Sequence, residues 1–270
     1  MVKSSDIQKP AVASHPVRAL DGSGHSLFIS EDGTVYSWGR TNALGKLGRR
    51  GNAKEPLPAT FIDPNEGPAD SSPGRKSRKF HVTCTKAFAG GFTDSGHSAV
   101  LDSSGNLWLT GCDRWQQLGL GSPSAGAVGY TWKGGATWQE AFQRNDFLPV
   151  LMEEISGYRA IRDVALGGDH SLVLSANKQD VFSFGKGGEG QLGLAGKPWV
   201  STPSQSKQLS SKNSDVAAVC AIEHCSLTLD DAGNVLKKAG QCSRRAASFV
   251  AALKSCRERA QRDGLLLNDT

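Results

Sequence analysis

The fold of this chain follows from residues 24–39, GHSLFISEDGTVYSWG. They contain two segments of alternating residues joined by the Asp-Gly pair at residues 32–33, which is typical of a β-hairpin with a tight turn. The pattern returns after residues 96–98 (GHS) and after residues 169–171 (DHS), and a less regular copy follows His224. A segment that recurs in this way predicts a fold built from similar units.

Each unit contains four extended segments. One precedes the histidine, two form the hairpin, and one follows a loop that ends in Leu-Gly. Four antiparallel strands per unit are typical of a β-propeller blade. The sequence therefore predicts an all-β protein, a β-propeller with four recognisable blades at residues 18–80, 81–158, 159–212 and 213–243.

The two ends of the chain differ from the repeats. Residues 1–17 are polar and contain two prolines, so we expect a disordered N-terminal arm. Within residues 244–270 the apolar side chains between 246 and 262 recur at helical spacing. We therefore predict a basic, amphipathic C-terminal helix followed by a short tail.

Net charge, apolar runs and cysteine content indicate which partners and which cellular compartment to expect. A net charge of +5 over 270 residues is mildly basic, which favours acidic protein surfaces over nucleic acid as partners. The longest apolar runs are shorter than a membrane span, and no secretory signal pattern follows Met1. Six irregularly spaced cysteines then predict free thiols in a reducing compartment, cytoplasmic or nuclear, with organelle import through the N-terminal arm as an alternative.

The repeated elements resemble those of a known family. GHSL at 24–27, DGTVYSWG at 32–39 and GQLG at 190–193 are similar to the repeats of the regulator of chromosome condensation family. The resemblance extends over residues 17–241 and implies a β-propeller. Members of that family typically close seven blades, whereas four are recognisable here. A small closed ring, a cap formed by the C-terminal helix, a partner chain and a truncated gene product are the alternatives.

Residues that recur at one position of every blade are predicted to be structural. We expect each imidazole to bond backbone groups of the neighbouring loop, and the serines beside the histidines are not predicted nucleophiles, because adjacency in sequence is not triad geometry. The predicted structural set is Gly24, His25, Trp38, Gly39, Gly96, His97, Gly111, His170, Gly185 and Gly193.

Two further motifs contain residue types that bind small ligands. Cys220, His224, Cys225 and Cys242 are zinc-ligand types, but they lack the short Cys-x2-Cys spacing of zinc knuckles. Residues 185–190 match a dinucleotide fingerprint by letter, but the blade pattern continues after them where that motif requires a helix. We predict no catalytic site, no metal site and no cofactor.

The non-repeating insertions are the predicted partner-binding segments. One has a basic cluster, and the other combines aromatic rings with cations, as interfaces do. The alternatives are a solvated loop and rings that cover their own blade. The candidate residues are Arg75, Lys76, Arg78, Lys79, Tyr130, Trp132, Lys133 and Trp138.

These features predict a protein-protein interaction module or regulatory scaffold. The family resemblance alone implies a second function, guanine nucleotide exchange on a small GTPase, and it carries no exchange residue over to this chain. A third hypothesis is chromatin or nucleic-acid binding through the basic cluster at residues 75–79, which predicts salt-dependent association.

Overall fold

The computed structural model describes residues 24–62, 81–92, 95–121, 146–150 and 161–242, together with Ser248 and Ala251. Within these residues, fourteen β-strands form four antiparallel sheets of three, four, four and three strands. One short 3-10 helix, Ala43–Gly45, follows the second strand. The structure confirms the predicted all-β fold, in which each sheet is one blade.

The strands follow each other in sequence within every blade. Blade one contains β1 (His25–Ile29), β2 (Val35–Gly39) and β3 (Leu57–Pro58). Blade two contains β4 (Cys84–Gly90), β5 (His97–Asp102), β6 (Leu107–Gly111) and β7 (Leu148–Val150). Blade three contains β8 (Ile161–Leu166), β9 (His170–Ser175), β10 (Val181–Lys186) and β11 (Trp199–Gln205). Blade four contains β12 (Ala218–Ile222), β13 (Cys225–Leu229) and β14 (Val235–Gly240).

Neighbouring blades meet along the first strands of their sheets. β4 contacts β1 of blade one and β8 of blade three, and β8 also contacts β12 of blade four. The core therefore lies between the sheets. Its apolar members include Leu27, Val35, Val100 and Trp108 between blades one and two, Leu101, Leu109, Val173 and Phe184 between blades two and three, and Leu172, Val181, Val219 and Ala239 between blades three and four. Strands that pack on both faces explain the buried runs of β5, β9 and β13.

The strand register corrects the alignment of the fourth repeat. In the first three blades, the histidine that begins one hairpin strand pairs with a glycine that ends the next; the pairs are His25–Gly39, His97–Gly111 and His170–Gly185. In blade four the corresponding pair is Cys225–Gly240. The expectation that His224 is the fourth repeated histidine is therefore wrong by one residue, and Cys225 takes its place.

Outer strands lie close to their predicted positions. The extended segment predicted after the second loop of each unit corresponds to β3 in blade one, β7 in blade two and β11 in blade three. The extended segment predicted before His25 in blade one lies outside the described residues. So does the C-terminal helix, except for Ser248 and Ala251, which have helical backbone; the helix stays a prediction.

Candidate functional site

The repeated histidines connect each blade to the next one. His25 Nε2 lies 2.7 Å from the Ser98 hydroxyl of blade two. The same pair joins His97 to Ser171 at 3.0 Å and His170 to Ser226 at 2.8 Å. We expected imidazole bonds to loop backbone, but the structure places a serine of the following blade between the imidazole and that backbone.

Each of these serines gives its proton to a loop carbonyl. Ser98 donates to the Lys46 oxygen, Ser171 to the Gln117 oxygen and Ser226 to the Gln191 oxygen, each at 2.7 Å. A hydroxyl has a single proton, so the imidazole Nε2 must be the donor in the histidine–serine bond. The serine therefore accepts from the imidazole, which is the reverse of the polarity that nucleophilic activation requires.

Burial keeps His97 and His170 neutral. It lowers the pKa of His97 to about 3, with the charges of His170 and His25 adding to the effect. Burial and the charge of His224 lower the pKa of His170 to about 3 as well. A neutral imidazole with its proton on Nε2 is the form that the inter-blade contact needs, so the contact is present throughout the physiological pH range.

The glycines predicted to be structural lie where the preceding turn passes close to the strand end. A Cβ added to the glycine that ends the third strand of a unit would lie 2.6 Å from a turn carbonyl oxygen; these pairs are Gly39 with Gly24, Gly111 with Gly96 and Gly185 with Asp169. Gly193 has φ +60°, and a Cβ there would lie 2.5 Å from Ser206 Oγ. Trp38 is opposite Ser26 on the face of blade one that points away from blade two, and both are half-buried.

Loops at the histidine ends of the strands form one surface, which we call the loop-face cluster and define as Phe92, Trp115, Lys186, Glu189 and His224. Phe92 is 40% exposed and its ring lies 5.8 Å from that of His224. Trp115 is 36% exposed, and Lys186 Nζ lies 5.3 Å from its ring centre. Lys186 also pairs with Glu189 at 2.8 Å. Blades two, three and four thus bring aromatic and charged groups together.

Hydrogen bonds inside the loops hold this cluster in place. The Leu118 amide donates to the Asp113 carboxylate at 2.8 Å, and the Trp115 amide donates to the Gln117 side chain at 2.9 Å. Burial raises the pKa of Asp113 to about 7, although the bond from Leu118 opposes that shift. Sequence reasoning missed the cluster because its members recur in no blade. The exposed rings in otherwise glycine-rich loops were the available signal.

The predicted partner-binding residues lie outside the described residues, in segments 63–80 and 122–145. The residues that flank these segments are described, and those before residue 63 lie next to those after residue 145. The Ile62 amide donates to the Phe147 oxygen at 3.2 Å, and Thr60 donates to the Asp146 carboxylate. At the other end of the second segment, the Gly121 amide donates to the Ser201 oxygen of blade three at 2.9 Å.

The structure corrects the expectation of free thiols for two of the six cysteines. Cys225 and Cys242 form a disulfide, whereas Cys84, Cys112 and Cys220 are free and buried. A disulfide removes the two thiolates that the zinc hypothesis needed. Among the described residues no cluster of three metal-ligating side chains is found, and none of the helices there is long and apolar enough to cross a membrane.

Repeated blades joined by identical histidine–serine contacts define a repeat β-propeller. A family model of the regulator of chromosome condensation (RCC1) repeat matches residues 104–174 and 179–228. A second model of the same repeat matches residues 22–45 and 161–191. The chain belongs to the regulator of chromosome condensation repeat family.

Curated relatives are longer than this chain. Protein RCC2 homolog of Danio rerio is 29% identical over 230 residues, which cover 81% of this chain and 41% of the relative. Human Protein RCC2 is 28% identical over 228 residues, covering 81% and 38%. The RCC1 domain-containing protein RUG3, mitochondrial, of Arabidopsis thaliana is 29% identical over 197 residues, covering 73% and 36%. The chain thus spans about two fifths of the length of these relatives.

Solved structures share the fold. Prp20p of Saccharomyces cerevisiae is 20% identical with a TM-score of 0.54, and the match covers 82% of this chain and 44% of that chain. The Prp20p structure was reported together with the binding properties of Prp20p to Gsp1p and histones. Human WBSCR16 is 20% identical with a TM-score of 0.51, covering 78% and 44%. At this level of identity the likeness establishes the propeller alone.

Proposed function

We propose that this chain is a non-enzymatic protein-interaction module, a regulatory scaffold whose rigid blades present the insertions 63–80 and 122–145 to a protein partner. The observation that carries the proposal is the contact between Ile62 and Phe147, which brings the start of the basic insertion next to the end of the aromatic one. Loops held by a rigid scaffold are the usual place for binding residues.

The composition of the two insertions supports a single binding surface. Tyr130, Trp132 and Trp138 supply the aromatic anchors that dominate interface energies, and Arg75 to Lys79 add positive charge. The loop-face cluster is a further exposed group of aromatic and charged side chains, on blades two, three and four. Together these features favour an acidic protein surface as the partner.

The test is affinity purification of partners with the Trp132→Ala/Trp138→Ala double variant. We expect partner recovery to fall by at least tenfold, since loss of one buried interface tryptophan costs about 2 kcal/mol or more. Trp199→Ala is the matched control, because Trp199 is an exposed tryptophan on the outer strand of blade three. Unchanged recovery of partners by a folded double variant would show that Trp132 and Trp138 do not contribute to partner binding.

Guanine nucleotide exchange on a small GTPase is the second candidate. It is supported by the family and by the binding properties of Prp20p to Gsp1p. Exchange would proceed by protein contacts that displace the nucleotide, without covalent chemistry. Release of a fluorescent nucleotide from a panel of small GTPases distinguishes the candidates: acceleration supports exchange, and its absence for every GTPase leaves the scaffold function.

Chromatin association is the third candidate, supported by the binding properties of Prp20p to histones and by the basic cluster at residues 75–79 of this chain. Binding through that cluster should weaken steeply as the salt concentration is raised.

Nucleus or cytoplasm remains the proposed compartment, and organelle import is the alternative, since one relative is named as mitochondrial. Imaging of a C-terminal fluorescent fusion separates these locations.

A further inference from the structure

Blade four differs from the other blades at the residue that makes the inter-blade contact. Cys225 stands where His25, His97 and His170 stand in blades one to three, as the shared strand register shows. Its Sγ is bonded to Cys242, two residues beyond the end of β14. At this position blade four therefore has a covalent bond to a residue that follows its own last strand. The other three blades have a hydrogen bond to the next blade there.

This bond lies on the face of blade four that points away from blade three. Side chains alternate along a strand, and Ser226 points to blade three because it bonds with His170. Cys225 and Leu227 therefore point the other way, where they form a buried apolar cluster with Cys220. The disulfide fixes residues 241–242 beside that cluster.

The two bonded residues differ in their exposure to solvent. Cys225 is 1% exposed, whereas Cys242 is exposed. The free thiols of Cys84, Cys112 and Cys220 are buried, and burial raises the pKa of Cys84 and Cys220 to about 12, so these two stay protonated. Thiol–disulfide exchange requires a thiolate to reach a sulfur along the S–S axis. Among the described cysteines, Cys242 is the exposed one.

We propose that the Cys225–Cys242 pair is a reversible thiol–disulfide site, exchanged by a small thiol of the glutathione class, which controls how firmly residues 241–242 are held to blade four. A thiolate attacks Cys242 Sγ, the disulfide breaks, and Cys225 leaves as a thiolate that takes a proton from solvent. A second thiol attacks the mixed disulfide and releases Cys242. Overall, two thiols become one small disulfide while the protein disulfide becomes two thiols.

The hairpin makes this exchange reversible. Cys225 pairs with Gly240 through the β13–β14 ladder, which does not depend on the disulfide. The ladder keeps the reduced cysteines near each other, so closure is an intramolecular reaction with a high effective concentration. Reduction therefore removes the cross-link at residue 242 without separating the strands, and residues 241–242 are then held by the bond from the Gln241 amide to the His224 oxygen at 3.0 Å.

The test uses the full-length protein, equilibrated in buffers of reduced and oxidised glutathione, labelled with a maleimide and mapped by peptide mass spectrometry. We expect the exposed Cys242 to become labelled as the reduced fraction rises, while Cys84, Cys112, Cys220 and the buried Cys225 stay unlabelled in the folded protein. After denaturation, Cys225 should be labelled in the same proportion as Cys242 was before it. Hydrogen exchange of residues 241–242 should accelerate about tenfold on reduction, because local opening is no longer restrained by the cross-link.

Two variants complete the test. Cys242→Ser should exchange as fast as the reduced wild-type protein and should not respond to the glutathione ratio. Cys220→Ser, which alters a neighbouring cysteine outside the disulfide, should respond like wild type. Three results would overturn the proposal: labelling of Cys242 before any reductant is added, labelling of Cys242 only after denaturation, or reduction without a change in hydrogen exchange at residues 241–242.

Discussion

Replacing Ser171 with alanine removes both hydrogen bonds of one inter-blade contact. His97 Nε2 loses its acceptor at 3.0 Å, and the Gln117 oxygen loses its donor at 2.7 Å. His97, Ser171 and Gln117 are all buried, so water cannot replace the missing partner. Each unsatisfied buried group costs about 1–3 kcal/mol. The free energy of unfolding should therefore fall by about 2–6 kcal/mol for Ser171→Ala, a large share of the roughly 5–15 kcal/mol of a typical domain.

Urea denaturation followed by tryptophan fluorescence measures this loss. The matched control is Ser26→Ala, which changes the same position in blade one, where the serine is only half-buried and bonds to none of the repeated histidines. We expect the control to change the free energy of unfolding by less than about 0.5 kcal/mol. If both variants shift the urea midpoint equally at unchanged slope, the inter-blade contact does not stabilise the propeller and the reasoning fails.

Two further predictions concern the same scaffold. The pKa values of His97 and His170 fall from 6.5 to about 3 on folding, so below pH 6.5 the unfolded chain binds protons that the folded chain does not. Stability should fall with decreasing pH by up to about 1.4 kcal/mol per pH unit for each histidine. His97→Gln should reduce the slope of the urea midpoint between pH 6.5 and 4, and a slope equal to that of wild type would contradict this. Gly185→Ala places a Cβ 2.6 Å from a carbonyl oxygen at φ +100°, which should cost about 1–3 kcal/mol or more. Gly188→Ala, with no atom within 4 Å, should be nearly neutral in thermal denaturation, and equal effects of the two would refute the steric argument.

Much of the fold could be predicted from short-range patterns. Alternation along residues 26–38 and the Asp-Gly turn gave the hairpin of blade one, and its copies located β5, β6, β9 and β10. These features are local, since backbone sterics and side-chain alternation act within a few residues. The histidines were recognised as recurrent, but their actual partners were not predicted, because the bond from His97 to Ser171 joins residues 74 apart in the chain.

The fourth repeat shows where local pattern was insufficient. His224 resembles the other histidines in sequence, yet the pairing of Cys225 with Gly240 shifts it out of their position. Strand register is decided by which side chains become buried together, and a shift of one residue reverses every side chain. That same register brought Cys225 to Cys242, a pair that spacing alone had not distinguished from the other cysteines.

The sequence by itself determined that this chain is a repeat propeller, because each blade is specified by its own turns and alternation. Only the tertiary structure decided how the blades are joined, which serine accepts from each histidine and which cysteines are bonded. Those contacts lie between units that have the same local pattern. Which residues form these contacts therefore depends on the stacking of whole sheets. One strand register pairs the buried polar groups, whereas other registers would leave them without partners, which is unfavourable.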